Sequence, residues 1–195
     1  MIVPLVVQLL TLAGVVNTGL ATAHEWENQT IKELYLAPIS HTSLIIGKIA
    51  AGWLITMAFG VLTIGLATAV GYFHPSGIYW LVTALAVALI SLASVGIGVA
   101  MAALLRREQR VIALGINLTF YLFFLSGGIS VVAFLPGWVR TIAQFVPTFY
   151  GVHALEMAVF YNSTELLGRD LLVLAATAIV TVIIGTVAFR RRLLG

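Results

Sequence analysis

The chain has 195 residues, 61% of them hydrophobic and 9% charged, against roughly 25% charged in an ordinary soluble domain, and so reads as an integral membrane protein. The net charge of +3 comes from basic residues at the ends of apolar runs, with no aromatic-interleaved patch, which argues against nucleic acid as a partner. The absence of cysteine excludes disulfides, thiolate metal sites and a cysteine nucleophile.

Apolar runs that meet the requirement of about 20 residues per spanning helix predict five spans, at about 1–23, 44–73, 78–105, 111–132 and 170–189. None alternates polar and apolar residues as barrel strands do. The expected fold is therefore all-α: one polytopic transmembrane helical bundle over residues 1–195. Eight of the ten basic residues fall on one side of such a bundle: Lys32, Lys48, Arg106, Arg107, Arg110, Arg190, Arg191 and Arg192. The positive-inside rule then predicts a multi-pass protein of the cell membrane with its N-terminus outside and its C-terminus cytoplasmic. No basic n-region precedes the first span, which argues against a cleaved signal. An external start is also the pattern expected of a chain that lacks an upstream span.

Within the first span, Asn17 needs a partner, and an interhelical hydrogen bond is the first reading, ahead of substrate contact. The polar island His24 to Lys48 follows. In it Thr30 and Glu33 form a capping-box pattern, and Pro38 ends whatever helix they start. A short amphipathic helix over about 27–37 is expected, with Ile31, Leu34 and Tyr35 on one face. It is suited to pressing against another protein; the plainer reading is a loop whose apolar face rests on lipid headgroups.

The sequence His74-Pro75-Ser76-Gly77 predicts a tight external turn. In the third span Ser94, Gly98 and Ala102 recur at four-residue steps, with Gly96 and Ala100 on an adjacent line, a pattern for close helix packing. Arg106 to Arg110 make a turn so short that spans three and four must form a hairpin, its charges anchored at headgroups. Asn117 repeats the problem of Asn17.

Beyond Gly128, short external re-entrant or interfacial helices are expected over about 133–162, with Trp138, Phe145, Phe149 and Tyr150 as interfacial aromatics. His153 and Glu156 are i, i+3 neighbours. They read first as an ordinary polar face; a metal site or proton relay is the alternative, and two ligands make a poor metal site. Asn162-Ser163-Thr164 matches a glycosylation sequon, which matters only in a eukaryotic lumen. No phosphate-binding loop, HExxH or GxSxG occurs, and the spans hold no acidic residue except Asp170 at the very edge of the fifth. Energy for uphill transport would have to come from another polypeptide.

Two separated stretches resemble one family, the type-2 permeases of ATP-binding-cassette (ABC) exporters. The cytoplasmic one comprises Glu27, Thr30, Leu34, Pro38, Gly47 and Lys48, with Gln29 where the family has Gly. The external one comprises Leu135, Pro136, Trp138, Pro147 and Tyr150. The resemblance covers essentially the whole chain but lacks the first of the family's six spans. It implies a membrane permease subunit without catalytic residues, bearing a coupling helix whose contact residues are Glu27, Thr30, Ile31, Glu33, Leu34, Tyr35 and Pro38. The implied partners are a separate ABC ATPase that binds ATP and Mg, a second permease chain in a homodimer, and membrane lipid. No cofactor or metal is expected on this chain itself. Two other readings stand beside it: a non-transporting membrane scaffold or assembly protein, and an intramembrane enzyme using groups such as His153 and Glu156.

Overall fold

A computed structural model of the chain describes residues 2–28, 30, 41–128, 137–144, 146–161 and 166–194, with backbone alone at 41, 42, 139, 140, 193 and 194. The predicted coupling-helix residues Ile31, Glu33, Leu34, Tyr35 and Pro38 lie outside the described residues. So do Leu135 and Pro136, Phe145 and the sequon at 162–164.

Every described element is helical. Helix α1 covers Ile2–Glu27 and includes a π-helical turn at Ala13–Asn17. It is followed by α2 (His41–Ala69), α3 (Tyr79–Leu105), α4 (Glu108–Leu125), α5 (Gly137–Ala143), α6 (Pro147–Glu156, running into a π-helical turn at Met157–Tyr161) and α7 (Leu167–Leu194). Four of these, α1, α2, α3 and α7, are long and apolar enough to cross a membrane. The stretch expected as a span at 111–132 overlaps α4, whose 18 residues, beginning at Glu108 and ending at Leu125, make about 27 Å of helix, slightly under the bilayer's hydrocarbon thickness of about 30 Å.

Helix α3 is the axis of the bundle, and its small residues explain how. Along one line, a Cβ on Gly98 would lie 2.7 Å from the Val15 carbonyl oxygen and 3.0 Å from that of Gly14. Ser94 faces Gly14 on the same line, and Ala102 is buried with Ala23 and Val111. Ser94, Gly98 and Ala102 therefore lie along α1. On the adjacent line, a Cβ on Gly96 would lie 2.6 Å from the backbone of Thr181, so the same helix meets α7 at backbone distance. Such approaches are the means by which membrane helices, lacking a hydrophobic drive toward one another, gain dispersion contact. Trp53 of α2 adds a directed bond, its Nε1 donating to the Ala88 carbonyl of α3 at 2.9 Å.

Two larger cores lie at opposite ends of α3. One joins Val6, Leu10, Phe73, Val87, Leu155 and Leu174, with α6 packed into it. The other, toward the arginine-rich end, joins Ile45, Ile49, Val95, Val99 and Phe189. Helix α6 is thus tied into the bundle rather than laid on its surface. At the turn after α2, Gly71 and Gly77 take positive φ of 83° and 52°, which a side chain would resist; His74 there is exposed.

The two asparagines do not bond between helices as expected. Asn117 is exposed and donates to the Ala113 carbonyl of its own helix at 2.7 Å. Asn17 is exposed on α1 and makes no side-chain hydrogen bond among the described residues.

Candidate functional site

The last turn of α1 carries His24, Glu25, Trp26 and Glu27. Successive residues on a helix point about 100° apart, so each meets a different neighbour. His24 Nδ1 bonds the carboxylate of Glu108, the first residue of α4, while Asn28 Nδ2 donates to His24 Nε2 at 2.8 Å. With Nε2 accepting, the proton lies on Nδ1, directed at Glu108. Glu27 Oε2 accepts the backbone amide of Glu108 at 3.2 Å. The residue preceding α4, Arg107, gives it no side-chain cap, so a carboxylate from another span joins the helix's own Glu108 in compensating its positive start.

Glu25 forms an ion pair with Lys48 of α2. Trp26 meets Phe189 of α7 edge-on, centroids 5.8 Å apart, and carries the guanidinium of Arg106 over its ring at 4.9 Å. Arg106 closes α3 in a left-handed conformation, φ 55°. Thr30, the last described residue before the 31–40 stretch, donates from its hydroxyl to the Glu25 carbonyl at 3.4 Å. Thus the polypeptide entering that stretch is fastened to α2, α3, α4 and α7 at one level. Individually these partly exposed pairs are weak, about 0–1 kcal/mol each; together they fix the phase of the helix end. The arrangement holds no nucleophile beside a base. It joins the end of α1 to every other long helix of the bundle. Of the expected contact residues, the structure places Glu27 in the last turn of α1 and Thr30 just beyond it.

At the opposite end, Pro147 occupies the first turn of α6 after an extended Val146, the position where its missing amide costs nothing. Tyr150 donates to the Gln144 carbonyl at 2.8 Å and lies under the Arg169 guanidinium, 5.6 Å from the ring centroid. Trp138 on α5 is 69% exposed. His153 does not pair with Glu156. Its Nδ1 lies 2.5 Å from Oδ2 of Asp170, which is fully buried at the start of α7; its ring stacks on Phe149. Asp170 also receives Arg169 at 3.5 Å. Sequence spacing missed this pair because the partners sit on different helices. Glu156 is left half-buried, and burial pushes its carboxyl above the usual range against the pull of His153. Among the described residues, no group of three or more His, Asp or Glu side chains is placed to hold a metal ion.

Residues 1–187 match the family model described as ABC-2 family transporter protein. The chain is also similar to the probable multidrug ABC transporter permease YbhS of Escherichia coli K12 and of Escherichia coli O157:H7. Each is 25% identical over 190 residues, covering 95% of this chain and 49% of the relative. The chain thus spans about half the length of the curated relatives it matches. With a family match over nearly its whole length, and with apolar helices gathered around a common axis, the chain belongs to the ABC-2 family of transporter proteins.

Proposed function

We propose that this chain is a membrane permease subunit of an ABC exporter, forming part of the substrate path and driven by a separate ATPase. The observation that carries the reading is the convergence of α2, α3, α4 and α7 on the last turn of α1, directly before residues 31–40, in a chain of this family. A partner pressing on that stretch, through Ile31, Glu33, Leu34, Tyr35 and Pro38 with Glu27 and Thr30 at its root, would move the helices together. ATP and Mg belong to the partner chain; a second permease chain, in a homodimer, completes the path. The relatives are named as probable multidrug permeases, which supports drugs as cargo.

In this reading α4 is a fifth span, and the bundle of residues 1–195 is one transmembrane domain. Thr148 of α6 donates to the Leu122 carbonyl of α4 at 3.2 Å, which supports an external segment that dips to meet a short α4 below the surface. Five crossings put the N-terminus outside, with 24–48 and the arginine-rich tail in the cytoplasm. Leu135, Pro136, Trp138, Pro147 and Tyr150 then belong to the external closure. Affinity purification of the tagged chain from its native membrane tests the proposal. A Walker-motif protein is expected to accompany it, and a stable chain recovered without any ATPase would favour the scaffold reading instead.

A further inference from the structure

Helices α1 and α2 line a cavity of about 340 Å³, within the range of small-ligand sites. Its polar lining is Asn17, Thr18, Thr22, Glu25 and Lys48, and Ile55 contributes to its apolar wall. Hydroxyls inside membrane helices commonly return their proton to the carbonyl one turn back, and Thr11, Thr56, Thr63, Thr68 and Thr177 do so. Thr18 and Thr22 do not. They are 4% and 0% exposed, and neither Oγ1 has a hydrogen-bond partner among the described residues.

Thr18 follows the π-helical turn Ala13–Asn17, a distortion frequent at functional sites. Across from it stands Gly52, where a Cβ would lie 2.5 Å from Thr18 Oγ1. The hydroxyl therefore points across at α2, into space that a side chain at position 52 would fill.

The mouth of the cavity carries the Glu25–Lys48 pair, its side chains 27% and 12% exposed. One carboxylate and one ammonium side by side suit a ligand that itself bears an ammonium next to an anion; a singly charged ligand would leave one of them unmatched. Thr22 and Thr18 lie about 4.5 Å and about 10.5 Å deeper along α1 than Glu25, at about 1.5 Å per residue. Charges at the loop end, then hydroxyl donors and the Asn17 amide along α1, with the apolar wall beside them on α2, suit a glycerophospholipid entering from the interface. We infer that this cavity binds an aminophospholipid, its ammonium on Glu25, its phosphate on Lys48, and its phosphate and ester oxygens accepting from Thr22 and Thr18. The site requires only that α1 and α2 cross a membrane.

The test uses the full chain in nanodiscs of equal parts phosphatidylethanolamine, phosphatidylcholine and phosphatidylglycerol, extracted gently and read by native mass spectrometry. The wild type is expected to retain phosphatidylethanolamine over the other two, because choline cannot donate a hydrogen bond to Glu25 and glycerol offers no cation. Thr18→Val with Thr22→Val keeps the shape and loses the donors, lowering retention about tenfold, the scale of two ordinary hydrogen bonds; Thr18→Ser with Thr22→Ser restores it. Glu25→Gln shifts the preference toward phosphatidylglycerol. Soluble phosphoethanolamine in large excess leaves the bound lipid in place.

Equal retention of the three lipids by the wild type overturns the assignment, as does a valine pair that binds like the wild type. Displacement by phosphoethanolamine alone overturns it too, since the ligand would then be the soluble headgroup. If the valine pair does not give a monodisperse protein, the wild-type preference and the Glu25→Gln shift decide.

Discussion

The carboxylate of Glu27, at the end of α1, accepts the backbone amide of Glu108, at the start of α4, at 3.2 Å. One helix end thereby caps the beginning of another 81 residues away. Because α4 has no cap from its own preceding residue, Glu27→Ala is expected to loosen its first turn by about 0.5 to 1 kcal/mol. Hydrogen exchange at residues 108–111 should accelerate by the corresponding few-fold, with α3 unchanged. Exchange as slow as in the wild type would mean that the amide finds another acceptor and that the link between the two helices is incidental.

The coupling proposal is tested seven residues further along the chain. Leu34→Asp puts a charge on the face expected to enter an ATPase, while the apolar runs that direct membrane insertion stay as they are. Insertion should be normal and substrate-stimulated ATPase activity of the assembled complex lost. Undiminished stimulation would remove residues 31–38 from the transmission of work.

Backbone contact along α3 makes a sharper prediction about stability. A methyl group at Gly98 would press on carbonyl oxygens of Val15 and Gly14, which cannot rotate away as a side chain can. Gly98→Ala should therefore cost about 1–3 kcal/mol, the range for overpacking. Gly65, in the interior of α2, has open space around it, so Gly65→Ala should leave the melting temperature unchanged or raise it slightly, since alanine is the better helix former. Thermal unfolding in one detergent compares the two. Equal effects would show that the α1–α3 approach is looser than backbone contact.

Opposite the arginine-rich end, the partly exposed His153 bonds the fully buried Asp170 and joins α6 to α7. Removing one partner strands the other: His153→Ala should destabilise by about 1–3 kcal/mol, because the fully buried Asp170 loses its best hydrogen-bond partner. A His153→Phe, Asp170→Leu double replacement should sit much nearer the wild type, since the desolvation cost of both groups disappears together. If the single and double variants melt alike, the pair contributes nothing beyond packing.

Helical spans are written in composition, and most of the bundle was legible there because each helix announces itself through its own apolar length. Partners across helices were not. The four-residue step puts Ser94, Gly98 and Ala102 on one line, yet that this line meets α1 while Gly96 meets α7 depends on how helices cross, which no periodicity contains. The i, i+3 rule joined His153 to Glu156, whereas the bond goes to Asp170, 17 residues on. Charges at 106–110 read as headgroup anchors. In the structure Arg106 covers Trp26, and Glu108 takes both His24 and Glu27, because the helical phase of the last turn of α1 aims those side chains at the neighbouring helix ends. Ser126 and the short α4 show the same limit from another side. The apolar run continues past residue 125, but the helix ends there, its last turn closed by Gly127 at φ 92°.

Glu156 supplies a dependence on pH that can be signed in advance. Its carboxyl, on α6 and outside the long apolar helices, is raised by burial above its ordinary value of 4.5. Between 4.5 and that raised value the folded chain binds the proton and the unfolded chain has lost it. Stability therefore falls as pH rises through this window and stays at the lower level above it. Glu156→Gln removes the titrating group while keeping its size, so the variant should melt higher than the wild type at neutral pH and lose this part of the slope above pH 4.5. The two proteins should converge at lower pH, where both carry a neutral side chain at 156. Melting temperatures recorded across pH in a nonionic detergent measure the difference directly. A wild type that grows more stable relative to Glu156→Gln as pH rises would place the carboxylate in a favourable pairing, with His153 outweighing the cost of burial.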